Sequence, residues 1–92
     1  MSDVKIQLDT HQALHTTHAI LECITAMNTK ADALPQDGNG AQIMRENAKT
    51  LEGVAVQLSK GLAEKGIDMP FLFKSTHDGR FDECVETIAN RH

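Results

Sequence analysis

The chain has 92 residues, of which 40% are hydrophobic and 24% are charged, and nine Lys and Arg against thirteen Asp and Glu give a formal charge of -4. A chain of this length forms one small globular domain, 1–92, whose core benefits from reinforcement such as self-association. The acidic balance and the lack of Trp and Tyr disfavour nucleic-acid binding, which uses basic surfaces and aromatic stacking.

Residues 1–9 carry no apolar run of the kind found in a signal peptide, and no later stretch reaches the length of a membrane span. We therefore expect residues 1–9 to be flexible and the protein to be cytoplasmic, without a membrane partner. The two cysteines, Cys23 and Cys84, lie far apart and form no C-x-x-C motif. We expect both thiols to be reduced.

The first predicted helix covers residues 10–34, where apolar residues recur at the i, i+3, i+4, i+7 spacing of an amphipathic helix. Asp9 or Thr10 is placed to cap its first turn. Pro35 ends it, because the residue before a proline is disfavoured in the α conformation. The predicted apolar face consists of Ala13, Thr17, Ile20, Ile24, Met27, Ala31 and Leu34.

Three histidines and one glutamate lie on the polar face of this helix, nearly opposite the apolar residues. Neighbouring pairs at i, i+4 suit zinc, nickel or copper, but a stable site needs three or four convergent ligands. We expect an ordinary polar surface. The alternatives are a transition-metal site and an interface whose charge changes between about pH 5 and 7. The four residues are His11, His15, His18 and Glu22.

Residues 35–40, with the sequence PQDGNG, form the predicted turn between two helices. Asp37, Asn39 and Glu46 fall at ligand positions of an EF-hand calcium loop. However, Pro35 stands where that loop has its first aspartate. We interpret the segment as a turn, in which the glycines reverse the chain and Asp37 or Asn39 caps the next helix.

The second predicted helix covers residues 41–65, and Gly66 is placed to end it. Its apolar residues are separated by intervals of 4, 3, 4, 3 and 4, which is the a/d repeat of a helix that packs along its whole length. Similar helix lengths and a short connection predict an antiparallel hairpin. We call the following residues the predicted dimer stripe: Met44, Ala48, Leu51, Ala55, Leu58 and Leu62.

A third, short helix is predicted at about 80–91, with Thr76 or Asp78 as its cap. Its apolar face can cover one side of the hairpin. Because a hairpin alone encloses no core, we expect an all-α fold in which a second copy completes a homodimeric four-helix bundle. A compact three-helix monomer is the alternative. The apolar face of the third helix consists of Phe81, Cys84, Val85 and Ile88.

Residues 67–79 form the predicted loop, and all three phenylalanines of the chain lie between positions 71 and 81. The alternation of Met69, Phe71 and Phe73 favours a short extended segment. These side chains either plug the open end of the hairpin or stay partly exposed as anchors for a partner. The candidate partner site consists of Met69, Phe71, Phe73 and Phe81.

No catalytic motif is present: the sequence contains no P-loop, no G-x-S-x-G and no H-E-x-x-H. We therefore expect a small non-enzymatic interaction or regulatory protein that needs no cofactor and binds an unidentified protein partner. The alternative function is a transition-metal-binding or pH-responsive helical protein that uses the face formed by His11, His15 and His18.

Overall fold

The computed structural model describes residues 3–74 and 79–91. Four helices account for most of these residues: α1 (Thr10–Ala33), α2 (Asn39–Glu64), α3 (Met69–Phe73) and α4 (Gly79–Ala89). The described residues contain no strand. The predicted all-α hairpin with a short C-terminal helix is confirmed, since α1 and α2 pack against each other along their lengths and α4 packs on both.

Both ends of α1 follow the local sequence as predicted. The backbone N–H of Gln12 donates to the Asp9 carboxylate at 2.7 Å, and the backbone N–H of Asp9 donates to the Gln12 side chain at 3.0 Å. This reciprocal pair is a capping box. At the other end, Leu34 is extended (φ -89, ψ 157) because it precedes Pro35.

The turn between α1 and α2 corrects one prediction. Gly38 is the N-cap of α2 and no side chain caps the helix, so the expectation that Asp37 or Asn39 does so is wrong. The turn is held instead by its backbone and by Gln36, whose side-chain amide donates to the carbonyls of Ala31 and Leu34 at 2.9 and 2.6 Å. The helix starts after an extended Gly38 (φ -96, ψ 163), the backbone conformation usual for an N-cap residue.

The end of α2 is confirmed at Gly66. This residue has φ 77, a left-handed backbone conformation that favours glycine. The backbone N–H of Gly66 donates to the Ala63 carbonyl at 2.9 Å, and that of Ile67 donates to the Leu62 carbonyl at 3.1 Å. These two bonds form a Schellman motif, which satisfies the last carbonyls of the helix and turns the chain towards α3.

Residues 69–73 form a short helix, whereas the sequence analysis predicts an extended segment within a loop. Pro70 lies in the first turn of α3, where its missing N–H breaks no helical hydrogen bond. A helix and an extended segment place the same side chains on different faces. In a helix Met69 and Phe73 share one face, which packs on the core, while Phe71 points away from it.

The core lies where α1, α2, α3 and α4 meet. The α2 helix contributes small side chains there, and the larger ones come from α1 and α4, including the predicted apolar face of α4. Small residues on α2 let its neighbours approach closely, so the volume is filled by their side chains. The buried cluster consists of Leu21, Ile24, Ala48, Ala55, Met69, Phe81, Val85 and Ile88.

The structure divides the predicted dimer stripe into two groups. Ala48, Ala55 and Leu62 are buried by the chain itself. The other three residues, Met44, Leu51 and Leu58, are half-buried and keep part of their surface accessible. Half of the predicted dimer stripe is therefore part of the core of its own chain, and half keeps accessible surface.

The remaining predictions concern the cap of the last helix, the N-terminal segment and membrane-spanning helices. Thr76 and Asp78, the expected caps of the last helix, lie outside the described residues. Residues 3–9, expected to be flexible, have no regular secondary structure and expose Val4 and Ile6. Across the described part of the chain, no helix combines the length and the apolar character that crossing a membrane requires.

The capping box predicts a measurable contribution of Asp9 to stability. Replacement of Asp9 by Ala should lower the free energy of unfolding by about 1 kcal/mol, because the N–H of Gln12 loses its acceptor. Urea unfolding followed by circular dichroism measures this change. Asp3→Ala removes an equal charge from the same exposed segment and is the control. An equal loss in both variants would contradict the role of the cap.

Candidate functional site

A groove of about 740 Å³ runs between α1 and the pair formed by α3 and α4. Its α1 wall includes His18 near one end and Lys30 near the other. Phe73 from α3 and Phe81 from α4 form the opposite wall. We call this feature the aromatic groove and define it by His18, Lys30, Phe73 and Phe81. Its lining is mainly apolar, as is usual in sites that bind a ligand or a partner side chain.

His18 joins two features that the sequence analysis treats separately. Its ring centroid lies 5.4 Å from that of Phe73 and 5.5 Å from that of Phe81, with interplanar angles of 52° and 59°. Its Nε2 lies 3.6 Å from a carboxylate oxygen of Glu22. The histidine therefore belongs to the aromatic groove, where it packs against both phenylalanines with about half of its side chain exposed.

The other two histidines form a separate pair on the first turns of α1. The rings of His11 and His15 have centroids 4.5 Å apart at an angle of 74°, and both residues are exposed. Within residues 3–74 and 79–91, no group of three or more His, Cys, Asp or Glu side chains is placed to hold a metal ion. A metal on His11 and His15 would find no third ligand of these types among the described residues.

The structure also does not fit the EF-hand calcium loop considered for this part of the sequence. The α2 helix begins at Asn39, so the segment from Asn39 to Glu46 is helical and does not form an ion-binding loop. Glu46 is exposed on α2 and accepts a hydrogen bond from the Gln42 side chain at 3.1 Å. The segment is a turn followed directly by a helix, as the sequence analysis favours.

The residues of the candidate partner site lie in different environments. Met69 and Phe81 are buried in the core, and Phe73 is half-buried in the groove wall. Phe71 is 84% exposed, and the neighbouring Leu72 is 51% exposed. We call Phe71 and Leu72 the docking edge. Leu72 is absent from the predicted site, although its position beside Phe71 in an apolar run was the signal for it.

The threonines of the groove present their methyl groups rather than free hydroxyl donors. The Thr25 hydroxyl donates to the Leu21 carbonyl at 2.8 Å, and the Thr29 hydroxyl donates to the Thr25 carbonyl at 2.9 Å. Their donor hydrogens are therefore used within α1. The groove can contact apolar side chains through two aromatic rings, and its charged groups, Glu22 and Lys30, stand on α1.

Ion pairs hold α4, and thus Phe81, against the hairpin. Asp32 at the end of α1 accepts hydrogen bonds from Arg80 of α4 and from Arg45 of α2, the latter at 2.8 Å. The bond from Arg80, followed by that from Arg45, lowers the pKa of the Asp32 carboxyl from its ordinary value. At the far end of α4, Arg91 pairs with Glu52 of α2 at 3.3 Å.

A further ion pair links α3 to α4. The ammonium group of Lys74 donates to the Glu86 carboxylate, and this bond raises the pKa of Lys74. Lys74 is the C-cap residue of α3. The pair therefore ties the end of the helix that carries the docking edge to the helix that carries Phe81. All these ion pairs are exposed, so each contributes modestly.

Both cysteines are free thiols. Cys84 is half-buried, and burial raises the pKa of its thiol while a hydrogen bond with Thr25 opposes that shift. A thiol with a raised pKa is a poor nucleophile at neutral pH. Cys84 therefore behaves as a residue packed against the core.

Comparisons of this chain with protein-family models, with curated proteins and with solved structures find no match. We therefore infer the function from the geometry of the described residues.

We call the ion pairs of Asp32 with Arg80 and Arg45 the clamp. The clamp predicts that the stability of the protein depends on pH in the acid range. Because the pKa of Asp32 is lowered in the folded protein, its stabilisation is present above the ordinary carboxyl value of 3.8 and is lost as the pH falls through the lower folded value. Asp32→Asn should reduce stability at neutral pH and flatten its decline in acid. Urea unfolding at a series of pH values measures both effects. Asp37→Asn, in the exposed turn, is the control; the same flattening there would contradict the clamp.

The position of His18 predicts that it stabilises the groove wall. His18→Ala should lower the free energy of unfolding by about 1 kcal/mol, because two aromatic contacts are lost. His15→Ala removes an exposed imidazole one turn earlier and should cost less. Chemical unfolding of the two variants compares them directly. Equal losses would mean that the two contacts of His18 with Phe73 and Phe81 contribute no more than the single contact of His15 with His11.

Proposed function

We propose that this chain is a small non-enzymatic interaction protein that binds an apolar segment of another protein across α3. The observation that carries this proposal is the 84% exposure of Phe71 beside the half-exposed Leu72. An aromatic side chain in water forgoes about 1.5 to 3 kcal/mol that its burial would provide. Two such residues in succession mark a place where a partner gains binding energy.

The aromatic groove next to α3 extends the surface that the docking edge offers to a partner. Phe73 on the same short helix lines the aromatic groove, so a partner that passes over α3 can contact the docking edge and the groove together. Aromatic residues concentrate binding energy in interfaces when a pocket next to them admits a partner side chain. Lys74 and Glu86 fix α3 against α4 and limit the ordering cost of binding.

The partner that fits best is an amphipathic segment with apolar anchors on one side. The groove is open along α1 and lined mainly by rings and methyl groups, which suits a helix laid into it or a short extended peptide. Glu22 and Lys30 stand two helical turns apart on the α1 wall and offer one charge of each sign. Such charges orient a bound segment more than they hold it.

Selection from a random peptide display library tests the proposal without knowledge of the natural partner. Immobilised wild-type protein should enrich peptides with spaced apolar residues. Phe71→Ser and Leu72→Ser together should reduce the affinity for those peptides at least about tenfold, which corresponds to about 1.4 kcal/mol.

Val4→Ser is the matched control, because Val4 is an apolar residue of even greater exposure outside α3. It should leave peptide binding unchanged. Failure to enrich any peptide, or enriched peptides that bind the double variant as well as wild type, would contradict the proposal. Circular dichroism confirms that the variants keep the helix content of the wild type.

A further inference from the structure

The α1–α2 hairpin is covered by the chain's own helices on one side only. Contacts with α4 involve Asp32 of α1 and Glu52 of α2, which pair with Arg80 and Arg91. The thinnest dimension of the fold is 19 Å, which corresponds to two layers of helices about 10 Å in diameter. The first layer is the hairpin and the second contains α3 and α4. Among the described residues no helix covers the other side of the hairpin, and the N-terminal segment lies at one end of it.

This uncovered side carries a regular apolar pattern on both helices. Two residues of α1 and its C-cap residue Leu34 recur every seven positions, as do three residues of α2, and all six are half-buried. A seven-residue repeat places side chains at regular intervals along a helix face, as in helices that interdigitate with a partner. We call these residues the open face: Ile20, Met27, Leu34, Met44, Leu51 and Leu58.

The edge of the open face on α2 is also apolar or uncharged. Ile43 is 54% exposed and Val54 is 42% exposed, and Asn47 and Thr50 lie between them along the helix. On α1, Lys30 follows Met27 by three residues and precedes Leu34 by four, so it borders the open face as well as lining the aromatic groove. The six residues of the open face are uncharged, which favours an apolar partner, and Glu64 and Lys65 line the groove at one end of the face.

The size of the open face is sufficient for a specific interface. A helix of 24 residues is about 36 Å long, and two helices packed side by side are roughly 18 Å wide. Their product is roughly 650 Å² on each copy, or roughly 1,300 Å² in total, which lies within the range of stable protein interfaces. A partner that uses all of it must itself present two long helices.

We propose that a second copy of this chain occupies the open face, so that two hairpins form a four-helix bundle with two-fold symmetry. The copy has the required pair of long helices, the same seven-residue spacing and the same uncharged edge on α2. In a two-fold interface the same patch is used by both copies, so its self-complementarity is the relevant criterion. The α3 and α4 helices then lie on the outside of the bundle.

The N-terminal segment lies at one end of the same face. Ile6 and Leu8 line a groove of about 390 Å³ together with Val54 and Leu58 of α2. Val4 and Ile6 remain largely exposed within one chain. A second copy on the open face brings an apolar surface to this end of the hairpin, where the Ile6 side chain can be covered.

Sedimentation equilibrium across the micromolar range tests this proposal. The wild type should show twice the mass of one chain. The double substitution Ile43→Glu/Val54→Glu should raise the dissociation constant at least about tenfold, because the interface would have to desolvate carboxylates that have no partner there. Both positions are substantially exposed in the single chain, so the helices themselves should form normally.

Two controls separate loss of the interface from loss of the fold. Leu72→Glu places the same charge on an apolar residue of comparable exposure in the other layer, and it should leave the dimer intact. Val54→Ile keeps the edge apolar and should also remain dimeric. A wild type that is monomeric throughout, or a double variant that dimerises as well as wild type, would overturn the proposal. Neither result bears on peptide binding by the docking edge.

Discussion

The close contact between α2 and the rest of the fold depends on two alanines. Ala48 and Ala55 lie seven residues apart in the core and are almost completely buried. Because they have no side chain beyond Cβ, α1 and α4 can both approach α2 and bring Ile24 and Val85 into one cluster. Larger residues at these positions would separate the helices. The larger apolar residues of α2 are correspondingly displaced to the margins of the core, where Leu51 and Val56 pack against it.

This arrangement explains why the heptad repeat of α2 does not form one continuous intermolecular surface. Ala48, Ala55 and Leu62 of the repeat pack inside the chain. Met44, Leu51 and Leu58 stay partly accessible. Sequence periodicity identifies the apolar side of a helix but not how much of that side its own chain covers. That division depends on the position of α4, which is determined by contacts distant in sequence, such as the pair between Asp32 and Arg80.

Features with local causes were predictable from the sequence. The capping box at Asp9, the end of α1 before Pro35 and the glycine motif at Gly66 each depend on a few neighbouring residues. The prediction of a side-chain cap for α2 is wrong because the N-cap position falls on Gly38, which has no side chain to accept a hydrogen bond. The α3 helix was missed because alternation over five residues fits a strand and a single helical turn about equally well.

The candidate site, too, could be predicted from the sequence only where its causes are local. Met69, Phe71 and Phe73 form one group in the sequence, but a helical backbone sends Phe71 to the solvent and the other two towards the core. His18 was placed with the other histidines because of its spacing, whereas its neighbours in space are Phe73 and Phe81. Both assignments depend on how α3 and α4 dock on α1. No local pattern encodes that docking.

The two proposed surfaces lie in different layers, and this separation has a functional consequence. The open face belongs to the hairpin, while the docking edge belongs to α3 in the layer on the other side. A second copy on the open face would therefore leave Phe71 and Leu72 accessible on both chains. A partner with two binding segments could then engage both docking edges at once, and the second contact would form at a high effective concentration. In that arrangement the dimer would convert weak binding at each α3 into stable binding overall.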